Sequence, residues 1–286
     1  MPLSINIAAL VLLAALLHAV WNTLVKTGSD RFLMLAAVMG FGVIWGGLLA
    51  LFVPPPHPAS WPYLFASIVL HTGYYFFLLG AYRHGDLSHA YPLARGAAPL
   101  LVVVGAFVFA GEALTVWALT GVLIACAGIL VLTFERGRPW RDDPRPVFYA
   151  LGTSVWIAAY TLADGMGVRV SHSPLGFIAW LFLLDGIPIA LFALWCRRGA
   201  VGAFLRSSWR VCLGGGLAAA SAYGLVIYAM SRAAMGPVSA LRETSVIMAA
   251  LIGTLVLKES FGRTRIAAAC LVAGGVAIMH LGQGSA

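Results

Sequence analysis

Runs of about twenty apolar residues, each closed by a short polar or Gly/Pro break, follow one another along the chain. A helix rises 1.5 Å per residue, so about 20 apolar residues cross the ~30 Å hydrocarbon core of a bilayer. Ten such spans are expected, at 5–26, 32–53, 61–82, 89–109, 115–134, 146–167, 174–195, 209–230, 236–257 and 264–282. The breaks are Ser29-Asp30-Arg31, Pro54–Pro56, Gly85-Asp86, Gly111-Glu112, Glu135–Arg145 and Ser171–Pro174. The pattern predicts an all-α membrane protein. The run beginning at Ile5 is too long for a signal-peptide core and ends in no small-residue cleavage site, so it is expected to be retained.

One long-range pattern divides the chain. YPLARGAAPLLVVVGAFVFAGEAL, from Tyr91, lies over the stretch around Arg242 at an offset of 147, with Arg95 over Arg242 and Glu112 over Glu259. An arginine within a span, followed by a glutamate at its end, therefore occurs twice. This predicts two five-helix repeats, residues 1–140 and 141–286. Five is odd, so the halves must be inverted in the membrane. Inverted repeats place a site at their interface and rock around it.

Composition narrows the class further. Apolar residues make up 61% of the chain and charged ones 10%, far from the globular balance, which leaves no room for a separate soluble domain. The net charge of +8 could point to nucleic acid, but the basic residues fall in short loops. Fourteen of the 18 Lys and Arg follow odd-numbered spans, from Lys26 and Arg31 to Arg263 and Arg265. Those loops are then cytoplasmic, with both termini outward. No nucleic-acid partner is expected. Cys126, Cys196, Cys212 and Cys270 are scattered singly, so neither a disulfide framework nor a metal site is predicted. No lipidation motif is visible. No HExxH, GxSxG or P-loop and no carboxylate cluster is present, which argues against an enzyme and against a cofactor.

Polar residues inside spans carry the functional reading, because ionisable groups at that depth face a bundle interior or a path. In the first span His18, Trp21, Asn22 and Val25 share one helical face, suited either to a cavity or to interhelical hydrogen bonds. The histidine could also carry a proton. In the third, His71, Tyr74, Tyr75 and Tyr82 form an aromatic face, either a ligand pocket or an interfacial belt. Tyr91 and Arg95 stand four apart between Pro92 and Pro99. Arg95 could grip a carboxylate or be neutralised by Asp185 or Glu243. Arg242 and Glu243 are neighbours about 100° apart on a helix, so each is expected to pair elsewhere. Trp156, Tyr160 and Asp164 share a face of the sixth span, with Asp164 expected to be solvated. Tyr223 is a weaker candidate. Glu112 and Glu259 are expected to satisfy backbone donors at the starts of the fifth and tenth spans.

These features resemble the drug/metabolite transporter superfamily, specifically its ten-helix, EamA-type members. The resemblance rests on the two repeats, on Pro99 with Gly111-Glu112, and on the Lys258-Glu259 counterpart. HAVWN (His18–Asn22), YPLARG (Tyr91–Gly96) and LRETSV (Leu241–Val246) look like subgroup motifs. The first span is also similar to that of small multidrug transporters, whose essential glutamate is replaced here by His18. The resemblance implies cytoplasmic termini, which the charge count opposes. It also implies a secondary transporter of the cytoplasmic membrane, an exporter of small metabolites such as amino acids; a monomer is expected to suffice, because the repeats supply both halves. The site would comprise His18, Trp21, Asn22, His71, Tyr74, Tyr75, Tyr91, Arg95, Trp156, Tyr160 and Arg242, with His18 or Glu243 carrying the proton. An organic-cation exporter using cation–π contacts, or a non-transporting scaffold, are the other two readings.

Overall fold

The computed structural model describes residues 3–27, 30–84, 87–134, 143–257 and 262–281. Among them there is no strand. The helices are α1 Ile5–Thr27, α2 Arg31–Ala50, α3 Trp61–His84, α4 Leu87–Ala110, α5 Val116–Val131, α6 Arg145–Val170, α7 Pro174–Met230, α8 Met235–Arg242, α9 Ser245–Leu257 and α10 Arg263–Leu281. Short 3-10 turns occupy Pro58–Ser60 and Leu132–Phe134. Among the described residues, seven helical stretches are long and apolar enough to cross a bilayer, the last, Pro174–Met230, holding two segments. The chain is a multi-pass membrane protein. Large apolar side chains such as Phe107, Phe109 and Trp117 point outward, as a lipid-facing surface requires.

The division into helices differs from the expected one at one place. The seventh and eighth spans are two helical segments, together labelled α7, that meet at a non-helical residue, Arg197 (φ −135°, ψ 26°). Past the kink α7 runs back along itself: Gly224 packs on Ile178, and the Tyr223 and Phe182 rings are 6.5 Å apart. The polar break in hydropathy marks where the chain leaves the apolar layer. The ninth span is the one that differs, split into α8 and α9 at Glu243-Thr244.

Local rules set the helix ends. The Asp30 carboxylate accepts from Phe32 N and Leu33 N at 3.0 and 3.1 Å and starts α2, and the Thr115 hydroxyl starts α5. Gly111, with φ +64°, turns the chain after α4 in a conformation that costs glycine nothing. Glu112 then departs from expectation. Its carboxylate accepts from Met235 N at 2.9 Å and pairs with Arg169 at 2.5 Å, so it caps α8 rather than α5. Its predicted counterpart, Lys258-Glu259, lies outside the described residues.

Helices approach closely where side chains are smallest, the usual means of association in lipid. A Cβ on Gly121 of α5 would stand 2.5 Å from the Gly275 carbonyl of α10, and one on Gly275 would stand 2.6 Å from the Gly121 carbonyl. Gly46 and Gly186 give α2 and α7 a similar backbone contact. α3 and α4 flank α6, while α1 packs against α7, α8 and α9. These packings bring the polar faces of α1, α3, α4, α6, α7 and α8 together in the interior.

Candidate substrate cavity

The break between α8 and α9 builds the centre of the site. Thr244 N and Ile247 N bond three residues back instead of four, and the Thr244 hydroxyl donates to Leu241 O at 2.7 Å. Glu243, with ψ −9°, is thereby turned out of helical register. This corrects the expectation that Arg242 and Glu243 would not meet, which holds only for an unbroken helix. Arg242 Nη2 is 3.1 Å from Glu243 Oε1, and Arg242 Nε donates to the same oxygen at 3.2 Å. Arg95 Nε lies 2.5 Å from Oε2. One fully buried carboxylate therefore serves two arginines that are each 2% exposed.

The cluster extends from Arg95. Its Nη2 donates to His18 Nε2 at 3.0 Å and to Ser245 Oγ at 3.3 Å. A guanidinium can only donate, so Nε2 accepts. Protonating His18 would set a third cation against Arg95. Both oxygens of Glu243 are likewise held by guanidinium groups. The arrangement is thus an ion-paired lock, in which Arg95 and Glu243 neutralise each other and Arg242 is the surplus cation.

Arg242 lies on the wall of a cavity of about 70 Å³, with Cζ 5.8 Å from the Tyr223 ring centroid. His18, Trp21, Tyr74, Tyr75 and Tyr160 line the same space. His71 also faces it, stacked on Tyr160 with centroids 3.9 Å apart. Opposite in charge to Arg242, and lining the same cavity, is Asp185, whose Oδ2 accepts from Tyr75 OH at 2.6 Å. Rings with few fixed polar groups are the usual lining of a small-molecule site.

The other expected residues fall elsewhere. Tyr91 lies against Arg95, 5.7 Å from ring centroid to Cζ, and the two border a separate void of about 10 Å³, near the size that holds one water. Asn22 donates to His18 O at 2.9 Å, which holds it to its own helix. Trp156 packs on Phe77 and fills the space beside Gly73, away from the cavity. The side chain of Tyr82 lies outside the described residues.

One acid was misjudged from sequence, and one alternative left open is now decided. Asp164 is fully buried, not solvated, and Tyr223 OH donates to its Oδ2 at 2.5 Å. Asp185 pairs with Tyr75 and stands 3.9 Å from His71 Nδ1, so it does not neutralise Arg95. The available signal was Tyr160 and Asp164 sharing one face of α6. Tyr75 and Tyr223 each supply one of these acids with a hydroxyl donor.

The model of the EamA-like transporter family matches residues 5–134 and 144–281. A solved structure described only as "Crystal structure of protein" is similar over 98% of each chain, with 21% identity and a TM-score of 0.75, a likeness of fold. No curated protein matches. With a lipid-facing helical bundle, a buried ion-paired lock beside an aromatic cavity, and a family match over nearly all its length, the chain belongs to the EamA-like transporter family of the drug/metabolite transporter superfamily.

Proposed function

We propose that this protein is a secondary transporter that exports small zwitterionic metabolites, amino acids foremost, across the cytoplasmic membrane. The observation that carries this reading is that Arg242 and Asp185 both line one cavity. Arg95 and Glu243 satisfy each other, so the Arg242 guanidinium is the one with capacity left for a ligand carboxylate. One Asp185 oxygen has no hydrogen-bond partner and suits an ammonium group. Tyr74, Tyr75 and Tyr160 would enclose the apolar part.

The same reading includes ten spans in two inverted five-helix repeats, residues 1–140 and 141–286, with one chain sufficient for function. α7 would supply two spans, and α8 with α9 one. The two stretches matched by the family coincide with these halves. A pair of backbone contacts gives further support. An offset of 147 carries Gly121 to Ala268 and Gly128 to Gly275. Gly121 abuts the Gly275 carbonyl, and Gly128 abuts that of Ala268, so each contact is the mate of the other under exchange of repeats. Alternating access would rock the halves about the cavity between them.

Uptake into proteoliposomes of labelled amino acids, beside the amines that lack their carboxylate, tests the reading. Arg242→Ala keeps the Arg95–Glu243 pair and should fold, yet lose amino-acid flux. Equal transport of the amines, unaffected by Arg242→Ala, would shift the assignment to organic-cation export, the reading that Asp185 alone favours. No flux of either class from folded protein would refute both.

A further inference from the structure

Outside the lock, α3, α6 and α7 enclose a second ionisable cluster that no step above uses as a proton site. At its centre is His71, 6% exposed, whose Nδ1 is 3.0 Å from both the carbonyl and the hydroxyl of Ser67. A carbonyl only accepts, so Nδ1 carries a hydrogen and Nε2 is the nitrogen open to a further proton. On one side is Asp185, on the cavity wall. On the other is Asp164, fully buried, with Ser67 and Tyr223 beside it. Asp164 Oδ1 and Asp185 Oδ1 each lack a hydrogen-bond partner.

Charge counting shows what this arrangement lacks. The buried charged groups of the interior, among the described residues, are Arg95 and Arg242 against Glu243, Asp164 and Asp185. With all of them ionised and His71 neutral, the sum is one negative charge. An isolated charge in an apolar interior is costly, and a carboxyl or imidazole there takes a proton instead. Glu243 is held by two guanidinium groups and His18 faces Arg95, so the odd proton belongs at the far end of the cavity. The groups facing His71 there are Ser67 and Tyr75 of α3, Asp164 and Tyr160 of α6, and Asp185 and Tyr223 of α7. Arg242 of α8 lies over the Tyr223 ring and near Tyr160, the ring stacked on His71.

We propose that Asp164, His71 and Asp185 form the coupling-proton site of this transporter, with Asp164 as its buried end and His71 as its link to the cavity. The proton enters from water in the cavity, binds His71 Nε2 or a carboxylate oxygen, and leaves by the same groups. No other bond changes. Because His71 stacks on Tyr160 in the cavity wall, loading this site and loading the substrate act on shared side chains. The coupling part rests on the transport reading, whereas the proton site itself does not.

Infrared titration of the purified protein needs no substrate. Above the ordinary carboxyl range and up to about pH 9, where burial can raise a carboxyl, a protonated-carboxyl band should appear and titrate. Asp164→Asn or Asp185→Asn should remove or shift it, while Glu112→Gln, at the outer clamp, should not. A native protein with no such band, or a band untouched by both Asn variants, overturns the site. In proteoliposomes, pH-gradient-driven amino-acid accumulation should vanish in Asp164→Asn, with any remaining exchange indifferent to pH. Gradient-driven accumulation that persists undiminished in both Asn variants overturns the coupling role. Absence of amino-acid flux in the native protein, with the infrared band present, sinks the substrate reading and leaves the proton site standing.

Discussion

Replacing Glu243 by Gln removes the one anion from between two permanent cations with almost no change of shape. At an effective dielectric of about 20, opposite charges about 4 Å apart attract by roughly 4 kcal/mol, so the two pairs amount to roughly 8 kcal/mol. Repulsion between the two guanidinium groups is present in both proteins and does not enter the difference. Desolvation offsets much of that attraction, and breaking a buried pair by deleting one partner costs about 3–5 kcal/mol. At roughly 2–4 °C per kcal/mol for a chain near this size, Glu243→Gln should lower the melting temperature in detergent by roughly 10 °C. Arg95→Met should cost less, because Arg242 and Glu243 still form one neutral pair. A triple Met replacement of Arg95, Arg242 and Glu243 should melt near the native value, since well-packed apolar groups of similar volume match a buried ion cluster. Scanning fluorimetry gives the order. Glu243→Gln melting with the native protein, or Arg95→Met melting below it, would refute the one-anion, two-cation account.

Other expectations test the frame around the site. Gly121→Ala or Gly275→Ala forces a methyl group onto a facing carbonyl and should cost about 1–3 kcal/mol, read as a lower melting temperature. Glu112→Ala frees the Met235 N–H and the Arg169 guanidinium, and should cost about 0.5–2 kcal/mol of thermal stability, the usual worth of a cap. Glu112→Gln, which keeps an accepting oxygen, should fall between.

The sequence carried the membrane class, its helical character and the presence of charged residues inside apolar spans. These follow from local physics: apolar length matches bilayer thickness, and a buried ion is costly enough to be noticed wherever it occurs. The aromatic faces of α3 and α6 were legible in the same way, because a period of 3.6 residues is written along the chain. Partner identity was not legible. Arg95 meets Glu243 across 148 positions, and two acids, Glu243 and Asp185, were open to it until packing selected one. Asp164 lies six residues before the end of α6, where a single helix offers water. Only α3 and the returning half of α7, which bring Ser67, His71 and Tyr223 around it, make the position buried. The α8–α9 break was likewise invisible, because the stretch holds no proline or glycine at 243–244 and its hydropathy is continuous. Interhelical contacts decide where that segment tightens and which way Glu243 points. Sequence alone determined that ions would sit inside the bundle; tertiary structure decided which of them cancel and which face the cavity, because counter-charges on separate helices are chosen by packing distance.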